Sequence, residues 1–154
     1  MKKIFLLFVS IFVLSITASA GDLMVQSGSG GKVIELTKSE FLKKVYDYEK
    51  NPDKWIYSGN KPAIIDFYAD WCGPCRMMSP VLKSMAEKYK NDIVVYKINV
   101  DEEKELATAF GITSLPTILF VPTSGKPHIV KGALPKDVME KGIKEILLGK
   151  KSDK

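Results

Sequence analysis

Two cysteines, Cys72 and Cys75, sit in the stretch "FYADWCGPCRMMSP" (67–80) with only Gly73 and Pro74 between them, and the chain holds no others. A disulfide needs its Cα atoms roughly 5.5–6 Å apart, and residues three apart in the first turn of a helix come close to that. The pair can therefore open and close a small ring with little movement. So short a loop constrains the unfolded chain weakly, which makes stapling a poor reason for it. A helix start also offers unpaired N–H groups and a partial positive charge, and both favour the thiolate, the attacking species. Gly73 leaves Cys72 open to a partner, and Pro74 loses nothing by lacking an N–H in a first turn. The inward face of such a helix makes Cys75 the less exposed of the two. That assigns roles: Cys72 attacks a disulfide, and Cys75 resolves the mixed disulfide that forms.

Resolution requires Cys75 to lose its proton. Asp66 interrupts the apolar run "AIIDFYA" (63–69), six residues before Cys72. A carboxyl buried there has a raised pKa and can relay a proton. Lys97, expected on the neighbouring strand, can pair with Asp66 and tune it. The plainer alternative for Asp66 is a carboxyl satisfied by a backbone or lysine partner. For the cysteines the alternatives are a structural disulfide and a metal site. A closed zinc site takes four ligands, and this chain offers two cysteines and the single His128, so no metal is expected.

The elements that must position these residues follow from periodicity. "VIEL" (33–36) reads as a strand. "TKSE" gives Thr37 as N-cap with Glu40 three residues on, a capping box. Phe41, Leu42, Val45 and Tyr46 continue at helical spacing, with an expected end near Tyr48. Residues 51–62 carry turn formers and two prolines and read as a loop. The run 63–69 has the near-continuous apolarity of a strand buried on both faces. From about Cys72 to Lys90 the pattern is helical, with Met77, Val81, Leu82, Met85 and Tyr89 as its apolar stripe. Pro80 lies inside that helix and predicts a kink. A strand over 93–100, a short helix over 102–110, a hairpin of strands 117–121 and 127–131, and a helix over 135–148 complete the chain. Val138, Met139, Ile143, Ile146 and Leu147 form the last helix's inward stripe. The order β-α-β-α-β-α-β-β-α implies an α/β fold with helices on both faces of one mixed sheet. The cysteines fall where a central strand meets a helix, the usual edge for chemistry in such sheets.

The ends read differently. Residues 1–20 have a basic start (Lys2, Lys3), an apolar core and a small-residue Ala18-Ser19-Ala20 site, the marks of a secretory signal cleaved after Ala20. The apolar run is short for a membrane anchor, which needs about 20 residues. Residues 21–32 form a Gly/Ser-rich leader, 33–148 the domain, and 149–154 a disordered tail. The formal charge of +5 falls to +3 once the two signal lysines are removed. That balance, with basic and acidic residues interspersed, gives no case for nucleic acid.

With these residues in view, the sequence resembles the thioredoxin family. "WCGPC" (71–75) is similar to its redox signature, and Asp66, Lys97 and Pro80 fall on its buried acid, companion lysine and helix proline. "LPT" (115–117) resembles the family's cis-proline loop, and "GAL" (132–134) its turn before the last helix. The resemblance covers about 33–148. It implies a thioredoxin fold with a central mixed five-stranded sheet, dithiol–disulfide exchange with protein substrates, and no cofactor beyond the Cys72/Cys75 pair. It also implies an apolar substrate groove made by Trp71, Gly73, Pro74, Leu115, cis Pro116 and Gly132, where the residue before the proline offers main-chain hydrogen bonds. The chain departs from the family in its longer 49–62 segment, in Tyr68 where a tryptophan is common, and in the export signal.

The direction of electron flow stays open at this point. The Gly-Pro dipeptide and the buried acid resemble the reducing branch, whereas strong oxidants carry a histidine between their cysteines. An exported, periplasmic reductant must be refilled, which implies a membrane-embedded thiol electron donor. Nothing in the sequence suggests an obligate dimer, so a monomer is expected. The alternatives are a disulfide oxidase or isomerase, a cytochrome c maturation reductant, and a peptide-binding, chaperone-like module.

Overall fold

The computed structural model describes residues 31–150. The expected signal, most of the leader and the end of the tail lie outside the described residues. The sheet has five strands: β1 (Val33–Glu35), β2 (Ala63–Tyr68), β3 (Val94–Asn99), β4 (Thr117–Val121) and β5 (His128–Lys131). Their spatial order is β1-β3-β2-β4-β5, so β2 is the middle strand. It runs parallel to β3 and antiparallel to β4, and the sheet is mixed as expected.

Helices α1 (Lys38–Lys44), α2 (Gly73–Lys88), α3 (Lys104–Ala109) and α4 (Lys136–Gly142) flank the sheet. Alternation along β2 sorts the core into two layers. Ile64 faces Met78, Leu82 and Met85 of α2, together with Met139 of α4. Ile65 and Phe67 face the other way, toward Phe41 of α1 and Leu106 of α3. Every β2 residue from Ala63 to Phe67 is buried, which explains the unbroken apolar run around Asp66.

Several elements differ from the sequence reading. Helix α1 opens on the expected Thr37/Glu40 capping box but stops at Lys44 rather than near Tyr48. The Val45 carbonyl accepts from the Ser58 N–H at 2.8 Å, and the buried Tyr46 ring packs on Trp55 with centroids 4.4 Å apart. That packing draws the chain out of the helix and anchors the 49–62 segment to the α1 side. In α2 the buried methionine is Met78, whereas Met77 is 65% exposed. The buried phase runs Cys75, Met78, Leu82, Met85, so the second cysteine lies on the helix's inward stripe. Helix α2 continues through Pro80 to Lys88. In α4 Val138 is exposed and Met139 buried. The last helix widens over Ile143–Leu147 into π-helical turns, with the Leu148 N–H donating to the Ile143 carbonyl at 3.0 Å. Among the described residues no helix is long and apolar enough to cross a membrane.

Candidate functional site

Strand β2 delivers the chain through the buried Ala69 to the start of α2, where Ala69, Cys72 and Cys75 pack as one small cluster. Cys72 is the N-cap of α2, and its Sγ accepts from the Cys75 N–H at 3.2 Å. Pro74 occupies the first turn, where the helix has no bond to lose. The two cysteines form a disulfide, with Cα atoms 5.3 Å apart. Both are buried, Cys72 at 4% exposure and Cys75 at 3%. The expected contrast in exposure is therefore absent in this closed form. What separates the two is the groove: Cys72 lines it and Cys75 does not.

That groove has a volume of about 400 Å³ and runs between the α2 start and the loop before β4. Trp71, Gly73, Pro74 and Leu115 line it, four of the six residues expected at a substrate groove. Pro116 and Gly132 are not among the lining residues. The Leu115–Pro116 peptide bond is cis, and Pro116 itself is buried. Gly132 has φ +94°, a left-handed conformation that favours glycine, and its N–H donates to the Pro116 carbonyl at 2.8 Å. That bond ties the turn after β5 to the cis proline. Val100, Ile112, Thr113 and Ser114 complete the wall. Sequence reasoning missed these four, although Ile112 to Ser114 directly precede the recognised Leu115-Pro116 pair. Trp71 is 69% exposed, yet its indole N–H donates to an Asp101 carboxylate oxygen at 2.8 Å, which pins the ring beside Cys72.

Asp66 lies at the middle of the sheet, 4% exposed, and its Oδ1 has no hydrogen-bond partner. Burial pushes its carboxyl up to about 7, against a weaker opposing pull from the Lys97 charge. Lys97 is its register partner on β3. The Lys97 ammonium nevertheless donates to the Tyr68 hydroxyl at 3.1 Å and pairs with Glu35 at 3.2 Å. Burial works against its charge, but these two partners outweigh it and hold the ammonium above its usual range. His128 is exposed on β5. Among the described residues no group of three or more His, Cys, Asp or Glu side chains could hold a metal ion.

The arrangement is a reversible dithiol at a helix N-terminus, open to a partner through an apolar groove, with a buried carboxyl that titrates near neutrality. Comparison with known proteins agrees with that chemistry. The family pattern described as Thioredoxin matches residues 32–145. Thioredoxin of Borreliella burgdorferi is 49% identical over 112 residues, which cover 73% of this chain and 95% of that protein. Thioredoxin of Alicyclobacillus acidocaldarius is 42% identical over 89 residues, covering 58% of this chain and 85% of its own. The crystal structure of chloroplastic thioredoxin z superposes with a TM-score of 0.62 at 26% identity, over 75% of this chain and 94% of the other. Thioredoxins act on protein disulfides and use no cofactor beyond their own cysteine pair. With a closed cysteine pair at a strand-to-helix junction, a family match over most of the chain and a thioredoxin relative at 49% identity, one assignment is left: this chain belongs to the thioredoxin family and is a thiol–disulfide oxidoreductase.

Proposed function

We propose that the protein is an exported, periplasmic reductase of protein disulfides. The observation that carries this reading is a secretory-type N-terminus placed ahead of a Cys-Gly-Pro-Cys pair that lacks the oxidants' histidine. In this reading the signal is cleaved after Ala20, and residues 33–148 work as a monomeric domain behind a Gly/Ser-rich leader.

In the reaction, the Cys72 thiolate attacks one sulfur of a substrate disulfide. A Cys72–substrate bond forms and the other substrate sulfur leaves as a thiolate. Cys75 then loses its proton to Asp66 and attacks the Cys72 sulfur. The mixed disulfide breaks, the Cys72–Cys75 bond closes, and the substrate departs carrying two electrons. The N-terminus of α2 favours the Cys72 thiolate, and Lys97 modulates Asp66. The groove holds an extended substrate segment against Trp71, Pro74 and Leu115, in the manner of an added strand. A membrane-embedded dithiol donor returns the oxidised pair to the thiol form.

Trapping with Cys75→Ser tests this directly. The variant should accumulate mixed disulfides through Cys72 with exported proteins and with a membrane thiol carrier. A reduction potential near that of strong disulfide donors, about −120 mV, overturns the reductive direction. N-terminal sequencing of the exported protein should begin at Gly21, and an intact Met1 contradicts cleavage.

A further inference from the structure

Three adjacent strands place three charged groups in one row. Glu35 on β1 is in register with Lys97 on β3, which is in register with Asp66 on β2. Register partners share a face of the sheet, so both carboxyls look to the same ammonium. Tyr68, two residues beyond Asp66 on β2, is on that face too. Its hydroxyl donates to Glu35 Oε1 at 2.5 Å and accepts from Lys97 Nζ at 3.1 Å. Lys97 Nζ also lies 3.2 Å from Glu35 Oε2 and 4.8 Å from the Tyr68 ring centre. Asp66, at the buried end of the row, keeps an oxygen with no partner.

We propose that Glu35 is a positioning residue for the proton step: through its ion pair with Lys97, bridged by Tyr68, it draws that ammonium off Asp66. Two carboxylates compete for one cation. Glu35 stands at the solvent-facing end of the row, where staying ionised costs little. Asp66 is buried, and an ammonium engaged elsewhere compensates its charge poorly. Glu35 therefore keeps the Asp66 carboxylate, once formed, basic enough to take the Cys75 proton. The other neighbours on this face do not compete. Strand β4 presents Ile118 in register with Asp66, α4 brings the apolar Met139, and α2 brings Met78 and Cys75, whose sulfur carries no proton while the disulfide is closed.

The proposal rests on Asp66 as the relay for Cys75, but its test reads Asp66 alone. Carbon-13 carboxyl NMR of the oxidised protein, from pH 4 to 10, follows the Asp66 signal, assigned by its loss in Asp66→Asn. Glu35→Gln should move the Asp66 midpoint down by about half a pH unit or more. Lys97→Met should move it up. In the double variant, Glu35→Gln should add no further downward shift, since the cation that carries the effect is gone. An equal downward shift with and without Lys97 overturns the proposal, because Glu35 would then act on Asp66 directly. An unmoved or raised midpoint in Glu35→Gln also overturns it. If Asp66→Asn leaves resolution by Cys75 untouched, the relay fails while this titration still decides the role of Glu35.

Discussion

Replacing Asp66 with asparagine should make the oxidised protein less sensitive to alkaline pH. The carboxyl rises from its usual 3.8 to about 7 because burial penalises the charged form. The folded state thus binds the proton more tightly than the unfolded chain. Its contribution to stability is fully present below pH 3.8 and is lost as pH rises through 7. The full span is roughly 4 kcal/mol, at about 1.4 kcal/mol for each pH unit of displacement. Between about pH 5 and pH 9 the loss is about 3 kcal/mol by the same linkage. The substituted amide cannot ionise, so this slope should vanish in the variant. Any cost of burying that neutral group is the same at both pH values and cancels. The assay is urea unfolding of wild type and variant with the disulfide closed, so that no thiol titrates. With a slope of about 1–3 kcal/mol per molar urea, the midpoint difference between variant and wild type should grow by roughly 1–3 M across that pH range. Parallel pH profiles would refute the reasoning, because Asp66 would then not be a buried carboxyl ionising within that window.

Other substitutions probe the site and its support. Asp66→Asn should also slow resolution by Cys75 more than the first attack by Cys72, read by stopped-flow with a disulfide substrate; equal slowing of both steps removes the relay role. Met78→Ala should cost about 2–5 kcal/mol, as a buried methionine does, while Met77→Ala should stay within about 0.5 kcal/mol, and denaturant unfolding of each checks the phase of α2. Gly142→Ala would set a methyl 2.7 Å from Cζ of the buried Phe120 ring, so it should destabilise by about 1–3 kcal/mol in the same assay.

The order of the elements was readable because the buried strands differ so plainly from the amphipathic helices. The central run 63–69 could only be an interior strand, and with that settled Asp66 and the cysteine pair fell at its end. The phase of α2 is off by one at its start, because the apolar stripe takes in Met77 where the structure buries Met78. Counting back from Tyr89 through Met85 and Leu82 reaches Met78, then Cys75. Adjacent methionines have equal hydrophobicity, so only the spacing separates them. The early end of α1 was hidden, since nothing local announces that Ser58 will claim the Val45 carbonyl. The groove wall from Ile112 to Ser114 was missed for the same reason, because it exists only once β4 lies beside β2. The fork of Glu35, Tyr68 and Lys97 depends on strand order, with β3 between β1 and β2. Chain order alone does not give that neighbourhood.

The outer strands of the sheet are short: β1 has three residues and β5 has four. Pro127 precedes β5 and the left-handed Gly132 follows it, so the edge offers little straight backbone beyond His128–Lys131. A long free edge would recruit any extended chain by sheet pairing. A protein whose proposed work is to meet such chains cannot welcome them along its whole perimeter. Keeping both borders brief leaves the groove beside Cys72 as the place where an unfolded segment gains most from docking, and it lowers the risk that substrate and oxidoreductase aggregate together.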